Sequence, residues 1–213
     1  MKRIKVSGRS VKDAIEEAKR KFGFEEGEYE YRVLDKGFKG IFGFLAKDAV
    51  VEITLKKEYF SRRIKEFLKS ILRYAGRVDR IKVKANGRTY FIDLDGEDVG
   101  KLIGKHGKTL GALQHIVTIF VNRLSDVKLN VVVDAGEYRE RRKKQLEAIA
   151  KEAIKKAIDE KGKVILDPMF PFERRIIHEI VKKYKNITSY SVGVEPYRRV
   201  VIEYIQNRVG SRR

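Results

Sequence analysis

Leu102-Ile103-Gly104-Lys105-His106-Gly107-Lys108-Thr109 is the stretch on which this chain turns. Before it, Val99, Leu102 and Ile103 fall on one helical face; after it, Leu110, Leu113, Val117, Phe120 and Val121 do the same. The spacing predicts two helices joined by a Gly-x-x-Gly loop. Glycine at both ends lets the backbone turn sharply and come close to another molecule. Gly107 opens into a helix whose first N–H groups lack intrahelical partners and so favour an anion. Lys105, His106 and Lys108 surround that opening. This is the chemistry that a nucleic-acid backbone requires. Many plain helical turns carry Gly-x-x-Gly too, but here an apolar residue precedes it and basic residues fill it.

Working outward, residues 58–74 show a helical stripe of Ile64, Phe67, Leu68, Ile71 and Leu72, with Gly76 as its stop. Residues 78–85 and 88–94 alternate as strands around Asn86-Gly87, a hairpin signal. Asp95 is the expected cap of the helix entering the loop, and residues 127–133 read as a further strand. The order α-β-β-α-loop-α-β matches the bacterial-type KH arrangement, whose Gly-x-x-Gly loop clamps about four nucleotides.

Upstream, residues 2–6 alternate as a strand, Ser10 caps a helix through Phe22 with Asp13 completing a capping-box-like start, and Gly23 stops it. Residues 28–35 and 48–56 alternate as strands, giving a small βαββ module. Between them lies Lys36-Gly37-Phe38-Lys39-Gly40-Ile41-Phe42-Gly43-Phe44. Phe38, Phe42 and Lys39 can form a stacking or docking surface. A domain this small needs its aromatics inside, which favours a turn with the phenylalanines closing the core.

Downstream, residues 137–160 read as a long charged helix. Its apolar stripe runs through Tyr138, Leu146, Ile149, Ala150, Ala153, Ile154, Ala157 and Ile158, and Arg139, Arg141, Arg142, Lys143 and Lys144 form a basic block. Such a block is a solvated face or a phosphate contact. A strand near 164–166 follows, then a helix started by Asp167-Pro168 and Pro171, with Ile176, Ile177, Ile180, Val181 and Tyr184 inward. Arg174 and His178 lie one turn apart on another side. Strands near 188–194 and 199–205 flank Glu195-Pro196-Tyr197-Arg198-Arg199. Arg198 and Arg199 extend the Arg174–His178 patch; the alternative pairs Arg174 with Glu173, Glu179 or Glu195 and packs His178.

The chain has 213 residues, 42% hydrophobic and 37% charged, with 49 basic against 30 acidic residues and a net charge of +19. Lys- and Glu-rich heat-adapted surfaces explain many charges but not a surplus of one sign. The surplus points to a polyanion, nucleic acid ahead of an anionic membrane. It is +4 over residues 1–57, +6 over 58–136 and +9 over 137–213. Without cysteine there is no disulfide framework and no thiolate metal site. The first residues turn polar too soon for a signal peptide, and no apolar run approaches a membrane span. A soluble, cytoplasmic protein is expected.

Three features together resemble the Jag family of bacteria, also called KhpB or EloR. They are Lys-Gly-Phe-x-Gly in the first module, Gly-Lys-His-Gly in the second, and Pro-Phe-Glu-Arg-Arg-Ile-Ile-His followed by Glu-Pro-Tyr-Arg-Arg-Val-Val-Ile in the third. The resemblance covers nearly the whole chain. It implies an α+β protein of three small domains: a βαββ Jag N-terminal module at 1–56, a bacterial-type (type II) KH domain at 57–136, and a linking helix plus R3H domain, helices packed on a small sheet, at 137–213. The R3H Arg-x-x-x-His maps onto Arg174 and His178, and such domains are associated with single-stranded nucleic acid. The implied protein is a cytoplasmic single-stranded RNA-binding, post-transcriptional regulator linked to cell elongation and division. Its implied partners are a small KH-only protein and the SpoIIIJ/YidC membrane insertase; a homodimer is a further expectation. The expected RNA-binding residues are Gly104, Lys105, His106, Gly107, Lys108, Arg174, His178, Arg198 and Arg199. One departure stands out: Ser191-Val192-Gly193-Val194 occupies a place where the family tends to be acidic.

Catalysis is not expected. His106, His115 and His178 share no metal-ligand spacing, and there is no Walker loop or nucleophile elbow. No cofactor or metal is called for. The rival functions are a scaffold on the insertase and, further off, a metal-dependent nuclease using Asp93 and Asp95.

Overall fold

A computed structural model describes residues 2–38, 46–74 and 78–205. They fall into two compact units, divided between Gly136 and Glu137.

The first unit begins with β1 (Lys2–Gly8), α1 (Val11–Phe22), β2 (Tyr29–Asp35) and β3 (Ala49–Leu55). β3 is central in an antiparallel sheet of order β1-β3-β2. The Ser10 hydroxyl accepts from the Asp13 N–H, and Gly23 at φ 64 closes α1 by donating to the Lys19 carbonyl. The reciprocal half of the cap differs from a capping box: the Ser10 hydroxyl donates to the Asp13 carboxylate. Ala14 and Ala18 pack on the face of β3 that carries Ala49, Val51, Ile53 and Leu55. The expected enclosure of Phe38 does not occur. Its backbone pairs with Lys47 and its side chain is exposed, because strand alternation and α1 already fill this small core. Lys39, Gly40, Phe42 and Gly43 lie outside the described residues, as does Gly76.

α2 (Lys57–Leu72), β4 (Arg80–Asn86), β5 (Thr89–Asp95), α3 (Val99–Ile103), α4 (Lys108–Leu124) and β6 (Asn130–Ala135) complete the unit. The sheet order is β4-β5-β6, with β5 and β6 parallel. Asn86 pairs with Thr89, so the two turn residues are Gly87 and Arg88, one position later than expected. Glycine at the first central position, φ 56, is the type II′ preference. Asp95 does not cap α3; it ends β5, where one oxygen accepts from Arg80 at 2.7 Å and the other from the Gly96 N–H.

The βαββ module and the helices after it are tied together. Arg62 of α2 meets the buried Glu28 carboxylate through Nε at 2.6 Å and Nη2 at 2.8 Å. The Tyr59 hydroxyl donates to the Phe22 carbonyl, and the Arg3 N–H to Asp126. Burial pushes the Glu28 carboxyl up, but the Arg62 hydrogen bonds and the Glu25 N–H leave it lowered on balance.

The second unit is α5 (Tyr138–Asp159), β7 (Lys163–Pro168), α6 (Pro171–Val181), β8 (Ile187–Val192) and β9 (Arg199–Tyr204). Its sheet has the order β7-β9-β8, all antiparallel. Leu146, Ala150, Ala153, Ile154 and Ala157 of α5, Ile177 and Val181 of α6, and Ile187, Val200 and Ile202 of the sheet form the core. Ile158 and Tyr184 do not join it: Ile158 is exposed at the end of α5, and Tyr184 follows the last turn of α6 and is exposed too. Pro168 ends β7 rather than starting α6, which begins at Pro171.

Two charged residues of this unit are buried against expectation. Arg142, from the basic block, is 9% exposed and its Nε donates to Glu173 at 2.7 Å; Glu173 is fully buried. The other Glu173 oxygen accepts the Phe170 N–H at 2.8 Å, so one carboxylate caps α6 and holds α5 to it. Among the described residues no helix is long and apolar enough to cross a membrane.

Candidate nucleic-acid interface

α3 ends at Gly104, φ 67 and ψ −179, a conformation reserved for glycine. A Cβ there would stand 2.1 Å from the Thr109 hydroxyl. A tight 3₁₀ turn of Lys105–Gly107 follows, closed by the Gly107 N–H on the Gly104 carbonyl. His106 adopts φ 54, tolerated by histidine better than by most residues. Gly107 at φ 78 is the N-cap of α4, and no side chain caps that helix. The Lys108 N–H donates to the Lys105 carbonyl, which leaves the N–H groups of Thr109 and Leu110 as the free donors of the first turn, and Lys105, His106 and Lys108 are exposed around it. The turn is held from below: Leu102, Leu110, Leu113, Val117 and Val121 are buried, and Phe120 stacks on Phe67 with centroids 4.1 Å apart. Gln114 Oε1 accepts from the Val133 N–H, and Asn122 bonds both backbone groups of Leu129, fixing α4 to β6. The result is a cationic loop seated on packed helices, with exposed basic side chains at the start of α4, fit to receive a phosphodiester oxygen.

Asp93 and Asp95, the pair considered for metal chemistry, both face Arg80 Nη2, at 3.9 and 2.7 Å. That cation accounts for the pair.

In the second unit the expected patch divides. Arg174 is only 7% exposed. Its Nη1 donates to the Met169 carbonyl at 2.8 Å and its Nη2 pairs with Glu195 at 2.7 Å. It ties α6 to the end of β7 and to the β8–β9 hairpin, so its guanidinium is occupied in the fold, as the Glu195 alternative had it. His178 is half-buried, with Nδ1 2.7 Å from the Ser189 hydroxyl and Nε2 3.0 Å from that of Ser191. The alternation Ile187, Ser189, Ser191 places both serines on the α6 side of β8. Around the ring is an open cleft of about 500 Å³ whose polar walls include Lys182, Ser189, Ser191 and Arg198. Arg199 is not part of it: Val200 and Ile202 face the helices, so Arg199 lies on the opposite side of the sheet. Lys182, Ser189 and Ser191 escaped the sequence analysis, although a strand with serines at its helix-facing positions was a visible signal.

Burial, and then the charges of Arg174 and Lys182, lower the His178 pKa. The ring is thus neutral near pH 7, donating to one serine and accepting from the other. As pH falls, the unfolded chain takes up this proton first. The histidine therefore leaves the unit's stability untouched above about pH 6.5 and erodes it below. Thermal melts across about pH 5 to 8 should show a loss of stability on acidification that is smaller in His178→Gln; equal pH dependence would contradict this.

The three modules also match known protein families. Family models match for the Jag N-terminus over residues 6–55, the KhpA/KhpB KH domain over 61–133 and the R3H domain over 144–204. The chain is 34% identical over 204 residues to the RNA-binding protein KhpB of Clostridium symbiosum, covering 95% of this chain and 91% of that protein. It is 31% identical over 207 residues to the RNA-binding protein KhpB of Bacillus subtilis, covering 96% and 99%. Over this extent, with all three modules present in order, the chain belongs to the Jag/KhpB family.

Proposed function

We propose that this protein binds single-stranded RNA and acts as a post-transcriptional regulator. The observation that carries this is the Gly104–Lys108 turn, which sets exposed Lys105 and His106 over the uncapped N-terminus of α4. The cleft at His178, Lys182 and Arg198 supplies a second contact, where a neutral imidazole and serine hydroxyls meet base or sugar edges and the cations meet phosphate. Arg174 serves as a positioning residue for that cleft. The protein acts as a binder, not an enzyme. Following its family's pattern, we place it in the cytoplasm, in the control of cell elongation and division, with a small KH-only protein and the SpoIIIJ/YidC insertase as partners.

The test is a titration of the full chain with labelled single-stranded RNA and with a duplex of the same sequence, at several salt concentrations. Single strands should bind more tightly. Their log K should fall with log salt at about 0.7 per phosphate contacted. Equal affinity for duplex, or binding indifferent to salt, would count against the proposal.

A further inference from the structure

α5 and α6 cover one side of the C-terminal sheet, through Val200, Ile202 and Ile187. The other side carries Thr188, Tyr190 and Val192 of β8. The register assembles this side into rungs: Ile165, Val201 and Tyr190 lie across the three strands, Val192 lies beside Arg199, and Lys163 and Thr188 flank Glu203. Ile165 is 61% exposed, Tyr190 39% and Val192 37%. The hairpin continues the surface with exposed Val194 and Tyr197. Two acids lie on this side, Glu203 and, by the same alternation as Lys163 and Ile165, exposed Asp167 near the end of β7. Glu203 is paired with Lys163 at 3.2 Å, and Glu195 of the hairpin is taken by Arg174. Among the described residues no ion pair engages Arg199, and the sequence from Ser191 to Val194 adds no acidic residue.

We propose that this open face is a second site for single-stranded RNA, distinct from the His178 cleft on the helical side of the same sheet. Tyr190 stacks on a base, Ile165 and Val192 flank it, and Arg199 meets phosphate. The inference rests on the reading of the protein as an RNA binder. An aromatic ring among cations on an exposed sheet is the arrangement by which proteins hold unpaired bases. The apolar residues are interleaved with the charges of Lys163 and Arg199, whereas the core of a protein-docking patch is depleted of charge.

The experiment measures affinity of the full chain for a short, mixed-sequence, labelled single-stranded RNA. Tyr190→Ala should weaken binding about tenfold with the salt slope unchanged and the chain still folded. Tyr190→Phe, which keeps the ring, should bind like the wild type. Arg199→Ala should weaken binding and flatten the salt slope by about one contact. Wild-type affinity in Tyr190→Ala would overturn this inference alone. So would loss of affinity in Tyr190→Phe equal to that in Tyr190→Ala. Self-association abolished by Ile165→Glu, with RNA affinity intact, would assign the face to a second copy of the chain instead. A wild-type chain that binds no RNA would defeat the parent proposal, and this one with it.

Discussion

Replacing Arg142 with alanine is expected to destabilise the C-terminal unit by about 3–5 kcal/mol, the range for removing one partner of a buried ion pair. Glu173 is fully buried and has two hydrogen-bond partners, Arg142 Nε on one oxygen and the Phe170 N–H on the other. Without the guanidinium a fully buried carboxylate remains with a single donor. It must then take up a proton or draw water into the core, and either outcome costs free energy. At about 4–8 °C per kcal/mol for a unit of this size, its melting temperature should drop by about 12–40 °C. The double variant Arg142→Met, Glu173→Leu removes both charges and should recover most of the loss. A residual penalty of about 1 kcal/mol should remain, because the N–H at the start of α6 loses its acceptor. Calorimetry of the full chain separates these outcomes. An Arg142→Ala transition within about 1 kcal/mol of wild type would mean that the pair carries little of the fold.

Local constraints were legible in the sequence, and long-range ones were not. The turn at Gly104 could be read because its determinants lie within a few residues: two glycines, a basic pair and the apolar faces of two adjacent helices. The element order could be read because strand and helix periods differ, as in Ala49–Leu55 against Lys57–Leu72. What failed depended on distant partners. Arg142 looked like one more member of a solvated basic block, yet its acceptor lies 31 residues away. Arg174 looked like a binding residue, with Glu173, Glu179 and Glu195 as alternative partners, and sequence could not choose the last, 21 residues on in the hairpin. Arg198 and Arg199 are neighbours in sequence, but β9 begins between them, and only Arg198 reaches the His178 cleft. The shift of the β4–β5 turn from Asn86-Gly87 to Gly87-Arg88 is of a different kind. A one-residue slip turns every side chain of a strand over, so the turn follows the burial of Tyr90, Ile92 and Leu94.

The second large effect is expected at the loop between α3 and α4. Lys105→Asp together with His106→Asp exchanges two exposed groups beside open helical N–H donors for carboxylates. The added acids occupy the place of a phosphate and repel the next one. Losing two charge-assisted contacts, at about 1.5–3 kcal/mol each, corresponds to a loss of affinity on the order of 100-fold or more. The fold should survive. Neither side chain is buried, aspartate is well tolerated at a position with φ 54 such as 106, and Gly104 and Gly107 are untouched. The decisive measurement is therefore the single-stranded RNA affinity of this double variant in the full chain, beside its melting curve. A wild-type melting temperature with affinity reduced on the order of 100-fold is the predicted result; a folded variant that binds RNA as tightly as the wild type would contradict the assignment of this loop as the RNA grip.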